Sequence, residues 1–434
     1  MMRIMLGVAA VLLGATWPSF AKQIRIPITR VGTVPVPCAD EPLRTCHNRW
    51  HPNIDSVASA DPGDTVIFET RDAFDNPFNR KTTPANVAAA NLNLIHPLTG
   101  PLHVNGARRG DVLAVTMVDV GPGPDQFGYT VAVPGFGFLR DVFTDPAIVH
   151  WELGPLRSDG KTRFATSRDL PGVRLPLHGF AGTIGVELGL AEVEVAFARE
   201  EQLRAKGGFV LPPEPADAVP AQLCGPTGTA RSRCLRTIPP RENGGNTDVK
   251  QMVKGTTLLF PCFIDGCGLS VGDVHWAQGD GEVSGTAIEM NAIVTVRVDV
   301  RKGMAAKIGN WPMFESNRGG VLRELEPEHF LATMGIPVKE AGVVIGPEVW
   351  LDGFLKPLTN QSEDVTLAAR DALLKMIGIL TGPASPSPQK LTAEQAYLLC
   401  SVACDLRISN LVDVPNYVVS NFLQLDVFKR GDDD

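Results

Sequence analysis

Apolar and polar residues alternate with a period of two along much of this chain. The alternation is clearest over residues 192–197 and 292–300, and both stretches predict half-buried strands. Shorter apolar runs at 66–69 and 112–118 are each entered through a Gly-Asp pair, and 256–264 is a further strand-like run. A helical period takes over near the C-terminus. Residues 362–380 carry an apolar stripe at helical spacing, and Thr392-x-x-Gln395 is a capping box that predicts a helix running through Leu406. Between the two regimes, seven prolines fall between Pro212 and Pro240, a density that excludes a helix or central strand. The pattern predicts an α+β, strand-rich protein. Its expected parts are an N-terminal β-rich lobe (22–210), a Pro-rich insertion (211–243) and a C-terminal α+β lobe (244–434).

The first 21 residues read as an export signal. Arg3 is the positive region, residues 4–13 are a short apolar core, and Ser19-Phe20-Ala21 supplies small residues for cleavage. Removing it leaves a chain with no later run long enough to cross a bilayer, so a periplasmic or secreted product with no membrane association is expected. Eight cysteines suit such a compartment. Cys38/Cys46 and Cys224/Cys234 flank short loops and read as staples, and Cys262/Cys267 can also pair. Cys400 and Cys404 lie one helical turn apart, poor geometry for a bridge, and read as buried small side chains. With 48 acidic against 40 basic residues the chain has no basic footprint, which argues against nucleic acid as a partner.

Candidate chemistry concentrates in residues 272–282. Asp273 and His275, two apart, leave one face of an extended backbone, an arrangement suited to metal ligation or an oriented acid–base pair. The turn that follows offers Gln278, Asp280 and Glu282, although an Asp-Gly pair is also an ordinary hairpin turn. Upstream, Gly244-Gly245-Asn246-Thr247-Asp248 permits backbone close to a ligand. Glu289 is a carboxylate inside an apolar pattern and needs a partner there. Trp276 is a candidate pocket wall or a core residue. His96 and His178 have polar or glycine-rich surroundings, whereas His103, His150 and His329 lack catalytic-type partners nearby and read as surface or structural residues. Gly268-x-Ser270-x-Gly272 matches a nucleophile elbow, but a strand and turn follow it where the elbow requires a helix.

Together these segments resemble the acetamidase/formamidase family of amide hydrolases. The pieces that carry the resemblance run in order from His47-Asn-Arg-Trp-His-Pro52 and Gly100-Pro-Leu-His-Val-Asn-Gly-Ala107 through Pro134-Gly-Phe-Gly-Phe138 and Gly182-Thr-Ile-Gly185. They continue with Gly244-Gly-Asn-Thr-Asp248, with 269–282 joined to Ala287-Ile-Glu289, and with 399–409 and 412–416. The resemblance implies a β-sandwich or barrel lobe, hydrolysis of a small linear amide to carboxylate and ammonia, and a homo-oligomer. The chemistry needs an activated water, an oxyanion stabiliser and a proton for the departing ammonia. The expected centre is Asp248, Asp273 and His275 holding a divalent metal such as zinc, with Glu282 or Glu289 as general base and then acid. His96 and His178 are further ligand or oxyanion candidates, and Gly244, Gly245, Asn246, Trp276 and Gln278 are candidates for substrate contact. The alternatives are a serine hydrolase acting through Ser270 and a secreted binding protein that kept the fold without catalysis.

Overall fold

In the computed structural model, the described residues are 21–154, 163–336, 364–412 and 417–428. Residues 1–20 of the export segment, residues 413–416 of the last family motif and the polar tail lie outside them. Two large sheets share one core. The six-stranded sheet runs in the order Gln23–Ile26, Thr65–Thr70, Ala292–Arg301, Val112–Pro122, Thr257–Pro261 and Met313–Glu315, with only the first pair parallel. The eleven-stranded sheet centres on Cys267–His275, buried at every residue. One edge of that strand pairs with Phe180–Gly185, and the other pairs with Leu98–Val104 and then Glu289–Met290. Neither sheet closes into a barrel among the described residues. Many apolar side chains of both sheets, with Trp50, Trp151 and Trp276 fully buried, belong to one shared core cluster.

Both sheets mix strands from either side of residues 211–243. That segment therefore divides the sequence but not the sheets. Its prolines still admit one α-helical turn, Ala221–Cys224 behind Pro220, because the first turn of a helix has no use for the missing N–H, and a 3-10 turn at Arg231–Arg233. Leu235–Arg236 then forms a two-residue ladder with Arg49–Trp50.

The strand expected at 192–197 is instead part of a sixteen-residue helix, Leu190–Ala205. Six alternating residues are outweighed by the Ala, Glu, Gln, Leu and Arg around them, all good helix formers. Val193 and Ala196 face the core, while Val195 stays exposed. Near the C-terminus, Val365–Thr381 is capped by the Asp364 side chain, and Ala393–Ala403 starts with the expected Thr392–Gln395 capping box. The second helix stops three residues short of Leu406. Cys404 turns extended (φ −117°, ψ 139°), and Cys404–Asn410 pairs with Val418–Gln424 in a three-stranded sheet completed by Phe330–Gly335.

This helix-to-strand junction holds the loop that follows His275. Gly279 N–H donates to the Ser401 carbonyl (2.9 Å), Ser284 N–H to Ser401 Oγ (3.1 Å), and Asp280 N–H to Asp405 Oδ1 (3.1 Å). Leu406 N–H returns a bond to the Asp280 carbonyl (3.0 Å), and the Tyr397 hydroxyl donates to the Val283 carbonyl. A Cβ on Gly279 would lie 2.0 Å from the Cys404 carbonyl oxygen, so only glycine allows this approach. Cys38–Cys46, Cys224–Cys234 and Cys262–Cys267 are disulfides, while Cys400 and Cys404 are free and buried. No helix among the described residues is long and apolar enough to cross a membrane.

Candidate active site

Four segments converge at the end of the central strand. His275 stands directly opposite Glu289 in the ladder, and Phe180 opposes it on the other edge, its ring edge-on to the imidazole at 5.0 Å. His275 Nε2 lies 3.3 Å from both Asp273 Oδ1 and Glu289 Oε2. His96 Nε2 approaches Asp273 Oδ2 at 3.7 Å, and Thr183 Oγ1 lies 3.0 Å from the same oxygen and 2.9 Å from Asn246 Oδ1. Asp273, His275 and Glu289 are buried, and Asp248 and Glu282 sit above them, partly open to a cavity. Gly182 makes this packing possible. A Cβ there would meet Asp248 Oδ1 at 2.5 Å and His275 Cε1 at 2.6 Å. Asp248, Asp273 and Glu282 all have left-handed backbones (φ 48°, 51° and 42°), a conformation non-glycine residues adopt at a cost of about 1–3 kcal/mol each.

The hydrogen bonds of Gln278 set the direction of the imidazole. Its Nε2 donates to the Asp248 carbonyl (2.7 Å), so Oε1 is the end facing His275 Nδ1 at 2.9 Å. Nδ1 therefore carries the proton, and in the neutral ring the lone pair of Nε2 points into a group of carboxylates. That arrangement needs a positive charge, either a second proton or a cation.

The carboxyls respond to burial and to one another. Burial, with Asp273 beside it, pushes Asp248 up to about 7, and burial raises Glu289 to about 7 against the pull of His275. Burial beside Asp248 pushes Glu282 well above the usual carboxylate range. Asp273 is the exception. Burial alone would raise it, but His96, His275 and Thr183 together hold it low. Two triads, Asp248–His275–Glu282 and Asp273–His275–Glu289, each place one ligand atom per residue within 4.8 Å of the others. Asp248 Oδ1 and Glu289 Oε2 are buried with no hydrogen-bond partner. A nitrogen–oxygen donor set with uncommitted carboxylate oxygens fits a divalent metal ion.

The structure brings together Asp248, Asp273, His275, Glu282, Glu289, His96, Asn246 and Gln278. His178 is not among them. Its backbone N–H donates to the Trp276 carbonyl (3.0 Å), and its side chain lies in a surface cleft with Lys254, Arg318 and Glu324. Trp276 is fully buried and donates to the Leu175 carbonyl (3.0 Å), away from the cavity. Gly244 and Gly245 do not line the cavity. They form the ladder with Ile184 and Gly185 that delivers Asn246. Ser270 Oγ does meet His47 Nε2 (2.8 Å), but both are fully buried and neither lines the cavity. The Gly-x-Ser-x-Gly run lies inside a strand, without the helix an elbow needs. Thr183, which donates to Asp273 and Asn246, has no distinctive sequence motif of its own. The small residues around it were the only signal.

A cluster of buried and half-buried carboxylates around a histidine, facing a partly apolar cavity open to solvent, suits a hydrolase. Comparison with known proteins agrees and narrows the class. The Acetamidase/Formamidase family matches residues 37–430. An acetamidase of Mycolicibacterium smegmatis is 32% identical over 378 residues, 81% of this chain and 84% of that protein. A formamidase of Methylophilus methylotrophus is 30% identical over 398 residues, 88% of this chain and 89% of that one. Among solved structures, a γ-lactamase from Delftia acidovorans superposes with a TM-score of 0.77 at 30% identity, covering 94% of both chains. The chain belongs to the acetamidase/formamidase family and is a hydrolase acting on amide C–N bonds.

Proposed function

We propose that Asp248, Asp273, His275 and Glu289 hold a divalent cation of the zinc type, and that the protein hydrolyses a linear amide to a carboxylate and ammonia. The observation that carries this is the Nε2 of His275, turned by Gln278 toward two buried carboxylate oxygens 3.3 Å away. A cation held there would acidify water and polarise the amide carbonyl. Glu282, at the cavity side of the cluster, takes the proton from the attacking water at its carboxylate and returns it to the departing nitrogen. Asn246 orients the substrate, with its Nδ2 on the Ile238 carbonyl (3.1 Å) and its Oδ1 on Thr183. Water adds to the carbonyl carbon, the C–N bond breaks, and nitrogen leaves as ammonia. The test is ammonia release from acetamide by wild type and Glu282→Gln. The variant is expected to lose about 10²–10⁴-fold in kcat with its metal content unchanged. Retention of full turnover would remove Glu282 from the reaction.

The γ-lactamase relative favours a second reading, in which the scissile amide is closed in a ring. Ring opening releases no ammonia, so a primary amine assay beside the ammonia assay separates the two. We further propose a periplasmic or secreted location, supported by the three disulfides, which persist in oxidising compartments.

A further inference from the structure

The cavity above the carboxylates has two unlike sides. One is the cluster already described. The other is apolar, formed by Phe74, Leu92, Ile95, Val133, Phe136 and Ile238. Formamide and acetamide, held by the amide group at the cluster, carry no more than one methyl group to set against this apolar side.

The Pro-rich segment builds and clamps that wall. Ile238 belongs to it. Arg236, two residues earlier, donates through Nη1 to the Leu92 carbonyl (3.2 Å), through Nη2 to Asn93 Oδ1 (2.6 Å) and through Nε to the Pro212 carbonyl (2.7 Å). Thr237 Oγ1 accepts from the backbone N–H of His96, which fixes Ile95 beside it. Just ahead of the segment, Phe209 packs edge-on against Phe136 at 5.5 Å. The Cys224–Cys234 disulfide staples the excursion between these anchors.

We propose that this wall is an acyl-binding subsite, and that the preferred substrates are primary amides with a branched, cyclic or aromatic acyl group. The inference rests on the amide-hydrolase reading above. An apolar acyl group covers the wall and releases the water there, whereas formamide and acetamide have no more than one methyl group to place against it. Each methylene seated against such a surface is worth about tenfold or more in kcat/KM.

The experiment is ammonia release from formamide, acetamide, isobutyramide and benzamide by wild type, Ile238→Trp and Ile238→Ala. In wild type, kcat/KM for isobutyramide or benzamide is expected to exceed that for acetamide at least tenfold. Ile238→Trp fills the subsite and should lower the bulky-to-small ratio at least tenfold, mainly through KM. Ile238→Ala, the milder change, should lower it about threefold. Acetamide or formamide turned over as well as the bulky amides, or a ratio unmoved by either substitution, overturns the subsite and leaves amide hydrolysis intact. No ammonia from any of the four overturns the linear-amide reading itself.

Discussion

Gln278 and His275 form a one-way hydrogen bond: the imidazole Nδ1–H donates to Gln278 Oε1 at 2.9 Å, because the amide nitrogen of Gln278 already serves the Asp248 carbonyl. One side chain thereby sets the tautomer of the histidine and ties the segment carrying Asp248 to the loop after the central strand. Removing it should loosen both. Gln278→Ala is expected to weaken metal affinity about 10–100-fold, with a parallel fall in kcat/KM at limiting metal. Metal titration of activity, alongside circular dichroism of the variant, checks this. An unchanged titration curve would show that the tautomer is set elsewhere.

Gly182 provides a steric test of the same cluster. Its missing Cβ is the space taken by Asp248 Oδ1 and His275 Cε1. Gly182→Ala should displace at least one of them and lower kcat about 10²-fold, since displacements near 1 Å have that effect. Overpacking predicts a stability loss of about 1–3 kcal/mol. Denaturant unfolding together with steady-state kinetics distinguishes a displaced site from an unfolded chain. Full activity would show that the cluster tolerates rearrangement.

Stability should respond to acid through Glu69, a buried carboxylate paired with Arg25 Nε (2.6 Å) and Arg30. Burial pushes its carboxyl up, but the two guanidiniums outweigh that and hold it below its ordinary value of 4.5. A carboxyl lowered by folding contributes stability that is fully present above 4.5 and fades as pH falls through the lower folded value. Wild type should therefore exceed Glu69→Gln in stability at pH 7, and the gap should narrow below pH 4.5. Urea midpoints for both proteins at pH 7, 4.5 and 3 check the sign. A gap that widens on acidification would contradict the pairing.

The cysteine pattern is open to direct chemistry. Cys38–Cys46, Cys224–Cys234 and Cys262–Cys267 are bridged, and Cys400 and Cys404 are not. Alkylation of the unreduced, denatured protein should modify two residues, and peptide mass mapping should place both at 400 and 404. Six additional sites should react only after reduction. Labelling at 38 or 224 without reduction would remove the support for an oxidising compartment.

Much of the site was legible because its signals are local. Asp273 and His275 are two residues apart on an extended backbone, Glu289 interrupts an apolar strand, and Asp248 ends a polar, glycine-rich cluster. What brings them together is not local. The register that sets His275 opposite Glu289, and Gly182 against both His275 and Asp248, is fixed by long-range strand pairing. His178 shows the same limit. It precedes the strand Phe180–Gly185, but its side chain goes to another surface. The apolar wall is drawn from residues 74 to 238, so no sequence window contains it. Within the helix Leu190–Ala205, the six-residue alternation is strand-like only apart from the sixteen-residue span of good helix formers around it. Cys404 leaves its helix to pair with a strand that no helical pattern announces.

The central claim is that His275 and the surrounding carboxylates hold a metal needed for amide hydrolysis. Its most direct test is metal content per chain in purified wild type and His275→Ala, measured by mass spectrometry of the elements, with amide turnover measured on the same samples. At least one equivalent of a divalent transition metal in wild type is expected. Metal and turnover should both be lost in the folded variant, and wild-type turnover should be lost on chelation and restored by re-addition. Wild-type protein that carries no such metal and hydrolyses its amide at full rate would contradict the account.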